Sequence, residues 1–209
     1  LPLLPNIDFL AWNEEHDLEK VDATVAAVLV ETVQGDAGVR IPQQSWLRAL
    51  EKKCHEVGAL LILDEIQCGM GRTGKPWAFD HFGLHPDIVC MGKALGGGMP
   101  IGALAASKSH MEAFAHSPSL GHITTFGGHS MACAGALGAL QVMEQLDWLQ
   151  LEKRWCAWER ALSAHPAVHQ MRRLGGFMAL ELGHAENVER AVKAGIHHAQ
   201  VDGEGAMLF

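Results

Sequence analysis

Short apolar runs alternate with longer stretches of helical periodicity through residue 146. Val25 to Glu31 (VAAVLVE) is a near-continuous apolar run, typical of a strand buried on both faces. Gln43 to Val57 has its apolar residues at helical spacing, and Gly58 is the expected C-cap. The same reasoning predicts strands over Ala59 to Glu65, Asp87 to Met91 and Ile101 to Ala106, and helices over Ser107 to Phe114 and Ser130 to Leu146. This βαβ alternation predicts an α/β fold with a mainly parallel sheet.

The composition shifts after about Asp147, where a charged helix containing tryptophans is predicted over Leu149 to Ser163. The pattern then predicts a strand near Phe177 to Leu182, a helix near Ala185 to Ala194 and a short strand near Ile196 to Val201. We therefore expect residues 1–147 to belong to a large domain and residues 148–209 to a smaller α+β domain. Trp155 and Trp158, one helical turn apart, are expected to dock the charged helix on the large domain.

Composition narrows the class of protein. Of the 209 residues, 48% are hydrophobic and 19% are charged, which is typical of a globular protein. The net charge of -8 argues against nucleic-acid binding, because an acidic surface repels phosphate. No apolar run approaches the roughly 18 residues of a membrane helix, so no membrane partner is expected. Five cysteines without a CxxC motif, and no signal peptide at Leu1, predict a reducing, cytoplasmic location.

Residues with useful chemistry follow three of the predicted strands. The first strand ends in Glu31 and runs into a segment containing Gly35 and Asp36, and the second ends in Asp64-Glu65-Ile66-Gln67. The third is followed by Lys93 and then by three consecutive glycines. Because ligands bind at the carboxyl ends of strands in such sheets, we expect a carboxylate and a lysine to meet at one edge.

A lysine and an aspartate at one site can serve an aldehyde cofactor with a pyridine ring. Burial disfavours the charged form of a lysine, and a neutral amine forms a Schiff base with an aldehyde. An aspartate facing a pyridine nitrogen keeps the ring protonated, and a protonated ring stabilises a carbanion. Each residue also has an ordinary interpretation, since a strand-end Asp is often a cap and a lone Lys is usually on the surface.

Three segments in the same order resemble a known family. They are ETVQGDAGV at residues 31–39, LLILDEIQCGMGRTGKPWAFDHFGLHPDIVCMGKALGGGMPIGALAAS at 60–107, and ITTFGGHSMACAGA at 123–136. They resemble the motifs of class III aminotransferases, the ornithine and acetylornithine aminotransferase group. The resemblance implies the fold of pyridoxal 5'-phosphate (PLP)-dependent transferases of the aspartate aminotransferase kind (fold type I), and it implies PLP as the cofactor.

The resemblance also implies a role for particular residues. Lys93 would form the Schiff base with PLP and move the proton, while Asp64 would pair with the pyridine nitrogen. Gln67 would lie near the phenolic oxygen of the cofactor.

Further roles involve the substrate and a second subunit. Glu31 and Asp36 stand where the family has acidic residues near the substrate. Thr125, with Thr124, would bind the phosphate of the neighbouring subunit's cofactor. That role requires a homodimer whose active sites lie at the interface.

The chain also departs from the family's pattern. Thr32 stands where the family has proline, Asp36 where it has glutamate, and His129-Ser130 where it has Asn-Pro. The family's N-terminal half, with a phosphate loop and a ring-stacking aromatic residue, has no counterpart, nor does a C-terminal arginine that binds a substrate carboxylate. We interpret the chain as part of a longer enzyme.

The function implied is transamination of a small-molecule amino donor, ω-amino or ornithine-like, with a 2-oxo acid such as 2-oxoglutarate. Two alternatives remain open: an aminomutase of the same fold, and a non-catalytic fragment that acts only in interactions. Thirteen histidines without an HExxH motif or zinc-site spacing do not predict a metal site.

Overall fold

A computed structural model describes residues 5–116, 123–184, 186–187, 190, 199–202 and 205–208. The strands form two four-stranded sheets, one from each part of the chain. Three 3-10 helices lie at Glu15–Lys20, Ala78–His81 and Lys93–Gly96. None of the helices in these residues is long and apolar enough to cross a membrane.

The first sheet has the order β1-β2-β3-β4 and carries the predicted chemistry. Its strands are β1 (Ala27–Glu31), β2 (Leu60–Asp64), β3 (Ile88–Gly92) and β4 (Gly102–Ala106). The first three are parallel and β4 is antiparallel to β3, so the mainly parallel sheet is confirmed. The short return from β3 to β4 explains the antiparallel pairing, because a parallel crossover needs a dozen or more residues.

Helix α1 (Gln44–Val57) covers one face of this sheet. Trp46, Leu50 and Cys54 on α1 are buried with Leu61 and Leu63 of β2 in one hydrophobic core. Gly58 ends the helix in the left-handed conformation at φ 79°, as predicted for the C-cap. Residues on the opposite face are more open: Leu29 is 65% exposed. The sequence predicts that β1 is buried on both faces. This prediction is wrong for the described residues, because they leave the face that carries Leu29 exposed.

The described residues after β4 include three helices with defined bounds and the second sheet. The helices are α2 (Lys108–Glu112), α3 (Ser130–Glu144) and α4 (Trp148–Ser163). Strands β5 (Val168–Leu174), β6 (Phe177–Leu182), β7 (Ala199–Asp202) and β8 (Gly205–Leu208) form an antiparallel sheet of order β5-β6-β8-β7. The strand at Phe177 to Leu182 is confirmed and β5 was not predicted. Most of the helix predicted near 185–194, and the first part of the strand predicted near 196–201, lie outside the described residues.

The β5-β6 hairpin packs directly against the first part of the chain. Phe177 and Ala179 belong to the same core as Leu61, and Arg172 Nε donates a hydrogen bond to the Gly38 carbonyl at 2.8 Å. The hairpin turn at Gly175 lies on the backbone of Thr73. Residues 147 and 148 mark where the chain enters α4, and the division into two domains there stays a prediction.

The two tryptophans predicted to dock α4 differ in their surroundings. Trp155 lies against Gly74 and Gly176, at the contact between α4, the hairpin turn and the segment after β2. Trp158 is 55% exposed, so it does not dock the helix as expected. Trp148, at the start of α4, lies against Gly71 instead.

Candidate functional site

The ends of β1, β2 and β3 lie side by side. Glu31 is in register with Asp64, and Asp64 is in register with Cys90. Lys93 follows Cys90 by three residues, immediately after β3 ends. Because the three strands are parallel, Glu31, Asp64 and Lys93 leave the sheet at one edge, as the sequence predicts.

One carboxylate oxygen of Asp64 accepts a hydrogen bond within the protein, and the other can accept one from a ligand. Its Oδ1 accepts a hydrogen bond from the Ile66 backbone N–H at 2.9 Å, which fixes the orientation of the carboxylate. Within the described part of the chain, Oδ2 has no hydrogen-bond partner. A half-buried carboxylate with a free oxygen can accept a hydrogen bond from a ligand N–H.

Lys93 occupies a strained backbone position. Its φ of 46° lies in the left-handed region, which residues other than glycine seldom adopt and which clusters at functional sites. The following turn is supported by α3, where the backbone of Gly135 lies against Gly96 and Gly97. Only glycine allows so close an approach of two backbones.

The amine of Lys93 is open to solvent in the described residues. The side chain is exposed and has no hydrogen bond or ion pair among them. The burial that would favour a neutral lysine is therefore not supplied by the described residues.

Gln67 completes a polar cluster with the end of β1. Its Nε2 lies 3.5 Å from Asp36 Oδ1, and the amide also fills the space beside Gly35, where a Cβ would overlap it. The Gly35 backbone N–H donates to Glu31 Oε2 at 2.9 Å. The structure thus joins the predicted residues Gln67, Asp36 and Glu31 through the segment that follows β1.

Thr124 and Thr125 lie elsewhere, in an exposed turn before α3. The turn is closed by hydrogen bonds from Gly127 N–H to the Thr124 carbonyl (3.2 Å) and from His129 N–H to the Phe126 carbonyl (3.2 Å). Phe126 within it is 79% exposed. The residues at the strand ends, Glu31, Asp36, Asp64, Gln67 and Lys93, are called the strand-end cluster. The two threonines are not part of it, and their hydroxyls are exposed.

Glu65 and Thr32 are site residues to which sequence reasoning gave no role. Glu65 is only 1% exposed, and its carboxylate accepts hydrogen bonds from the Thr32 hydroxyl and from the backbone N–H groups of Ala78 and Phe79. Burial raises the pKa of this carboxyl, and the three hydrogen bonds oppose that rise. The signal was a second carboxylate directly after Asp64 in an apolar run, where an unpaired charge would be costly.

A metal site has no support in the part of the chain that the structure describes. No three His, Cys, Asp or Glu side chains there form a group that could hold a metal ion. The chemistry of the strand-end cluster is that of a free amine, an oriented carboxylate and a primary amide.

The arrangement fits the comparisons with known proteins. The family model for aminotransferase class-III matches residues 10–204. An acetylornithine aminotransferase of Methanopyrus kandleri is 41% identical over 191 residues, covering 90% of this chain and 48% of the relative. A putrescine aminotransferase of Pectobacterium atrosepticum is 46% identical over 148 residues, covering 67% of this chain and 31% of the relative.

Solved structures similar to this chain are also aminotransferases. An ornithine aminotransferase from Toxoplasma gondii, with partial occupancy of PLP at its active site, aligns with a TM-score of 0.85 and 31% identity. The alignment covers 100% of this chain and 51% of that one. Ornithine δ-aminotransferase from Plasmodium falciparum aligns with a TM-score of 0.84 and 28% identity, over 100% and 56% of the two chains. The chain spans about half the length of these structures, and a third to a half of the curated relatives.

Proposed function

The chain belongs to the class-III aminotransferase family, and from this we propose that it supplies the covalent and ring-binding residues of a PLP-dependent aminotransferase. The observation that carries the proposal is the convergence of Lys93 and Asp64 on one sheet edge, with an unpaired amine on one residue and an unpaired carboxylate oxygen on the other. When bound, PLP supplies an aldehyde for an amine and a ring that takes up electrons.

Each residue then has a defined task. Lys93 would hold the cofactor covalently through its Nζ, and the same amine, when released by the amino donor, would move a proton between the two reacting carbons. Asp64 would hold the ring nitrogen in its protonated form through Oδ2, while Oδ1 accepts from the Ile66 N–H. Gln67 Nε2 can turn from Asp36 to donate to the phenolic oxygen, since the contact it leaves is long at 3.5 Å.

The substrates we propose are an ω-amino or ornithine-like donor and a 2-oxo acid such as 2-oxoglutarate. The relatives named for acetylornithine, putrescine and ornithine support a donor with an amino group at a chain end. Glu31 and Asp36 are acidic residues of the cluster in addition to Asp64, and their charge attracts a cationic amine. Asp36 reaches one methylene less far than the glutamate it replaces.

We further propose that two copies form a homodimer in which Thr124 and Thr125 bind the phosphate of the partner's cofactor. Several large apolar side chains around that turn and along α3 are exposed to solvent: Ile123, Phe126, Met131, Leu137 and Val142. Exposed apolar surface of this extent favours a protein interface.

The cytoplasmic location remains a prediction from the cysteines.

Adding PLP to the complete protein tests the proposal. The lysine adduct should absorb near ~420 nm, and borohydride should remove the band, as expected of an imine. Lys93→Ala should abolish the band. Lys108→Ala is the matched control, because Lys108 lies in α2 with its side chain 91% exposed. A band that survives in Lys93→Ala would refute the assignment of Lys93.

The two alternatives give different results with an amino donor alone. A transaminase converts the bound cofactor to pyridoxamine phosphate, which accumulates until a 2-oxo acid is added. An aminomutase returns the amino group to the same substrate and accumulates none. A non-catalytic fragment gives no band near ~420 nm at any stage.

A further inference from the structure

We propose that Glu65, held by the Thr32 hydroxyl, is a positioning residue that sets the arrangement of Asp64 and Gln67 for the cofactor. The inference rests on the proposed function and deepens it. It assigns no direct contact between Glu65 and any ligand.

Glu65 has all its contacts inside the protein. Its Oε1 accepts from the Thr32 hydroxyl at 2.5 Å and from the Phe79 N–H at 3.0 Å, and its Oε2 accepts from the Ala78 N–H at 2.7 Å. Thr32 is fully buried, so no water competes for the carboxylate on that side. Both oxygens are engaged by donors, which is the arrangement that favours a carboxylate over an amide.

These three hydrogen bonds connect Glu65 to the residue after β1 and to the 3-10 helix at Ala78–His81. Thr32 directly follows Glu31 at the end of β1. Ala78 and Phe79 belong to the 3-10 helix at Ala78–His81. Glu65 itself lies between Asp64 and Gln67. The carboxylate therefore ties the end of β1 and the 3-10 helix to the turn that presents both ring-binding side chains.

The backbone of Glu65 is fixed as well. Its N–H donates to the Cys90 carbonyl of β3 at 2.9 Å, and its carbonyl accepts from the Gly69 N–H at 2.9 Å. One residue thus connects β1, β2, β3 and the turn from 64 to 69. A loss of the side-chain hydrogen bonds lets the turn shift relative to β1, which moves Gln67 away from Gly35 and Asp36.

Thr32 makes this connection testable by a small change. Proline, the residue of the resembled family at this position, has no hydroxyl, so the bond to Glu65 comes from the threonine in this chain. Thr32→Val keeps the shape and removes the donor, while Thr32→Ser keeps the donor. Asp80, whose charge disfavours the ionised form of Glu65, is unchanged in both.

The experiment compares PLP affinity with thermal stability in the complete protein carrying Thr32→Val, Thr32→Ser or Glu65→Gln. Affinity is read from the borohydride-sensitive band at a temperature where every variant is folded by circular dichroism. Thr32→Val should weaken PLP binding about fivefold, because the buried Glu65 carboxylate loses a donor, and Glu65→Gln should weaken it about tenfold or more, because the amide NH2 cannot accept from the donors that face it. Thr32→Ser should restore affinity to within about twofold of the parent. Thr24→Val, which breaks an exposed hydroxyl contact with Asp22 away from the site, should leave affinity unchanged.

The outcomes separate positioning from stability alone. A lower unfolding temperature in Thr32→Val with parental PLP affinity would overturn the inference and leave the proposed function intact. Equal affinity in the valine and serine variants would also overturn it, and this comparison holds even if Glu65→Gln does not fold. Failure of the parent protein to bind PLP would instead overturn the proposed function, and the inference with it.

Discussion

The strained backbone at Lys93 predicts that its replacement by glycine stabilises the cofactor-free protein relative to its replacement by alanine. Lys93 has φ 46° and an exposed side chain, so neither change removes buried packing. The left-handed conformation costs a residue with a Cβ about 1–2 kcal/mol. The greater freedom of glycine in the unfolded chain offsets roughly 0.4–1 kcal/mol of that gain.

From the midpoints of the two ranges, the net advantage of Lys93→Gly over Lys93→Ala is therefore about 0.8 kcal/mol, with extremes of about 0 and 1.6 kcal/mol, and the midpoint corresponds to about 2–3 °C in unfolding temperature for a chain of this length. Thermal unfolding without PLP is the appropriate assay, because bound cofactor would stabilise each variant according to its affinity and obscure the difference in backbone strain. Lys52, exposed within α1, gives the control: there glycine should be less stable than alanine by about 1 kcal/mol. A glycine variant at position 93 that is no more stable than the alanine variant would refute the claim that strain is stored at this residue.

Two further predictions concern the contact between the hairpin and the rest of the chain. Gly175→Ala should lower the free energy of unfolding by about 2 kcal/mol or more, because φ is 58° and the new Cβ would overlap the Thr73 carbonyl; Gly183→Ala, with open space around it, should change it by less than about 0.5 kcal/mol. Comparable unfolding midpoints for the two variants would contradict this packing. Arg173 contacts Glu152 at 2.8 Å and Glu159 at 2.9 Å, and its hydrogen bonds lower the pKa of Glu152 below its ordinary value of 4.5. The stability that Arg173 adds through Glu152 is thus present above pH 4.5 and is lost as the pH falls through the lowered pKa, so the gap in unfolding temperature between the parent and Arg173→Met should narrow from about pH 7 to about pH 3. A gap that stays constant or widens in acid would count against that ion pair.

The elements around the cluster follow from local sequence patterns. Apolar runs end at Asp64 and just before Lys93, so the strands and the edge at which these residues meet could be predicted. Gly58 marked a helix end because only a left-handed residue fits there. The antiparallel direction of β4 follows from the length of its connection.

Other features depend on contacts between distant residues, which local patterns do not report. Strand β5 was missed because arginines interrupt its apolar positions, and those arginines are held by Gly38 and by the acidic residues of α4. From the sequence alone, Glu65 looks like a second strand-end carboxylate. Its three hydrogen-bond donors, on Thr32, Ala78 and Phe79, are known only from the structure. The place of Thr125 relative to a cofactor depends on a second subunit, which no pattern within one chain can supply.

Trapping the cofactor on the protein tests the central claim most directly. The complete protein is incubated with PLP, reduced with borohydride, digested and mapped by mass spectrometry. We predict that the reduced cofactor is attached to Lys93, and that Asp64→Asn lowers the yield by weakening binding of the protonated ring. Attachment to a different lysine, with position 93 unmodified, would contradict the account.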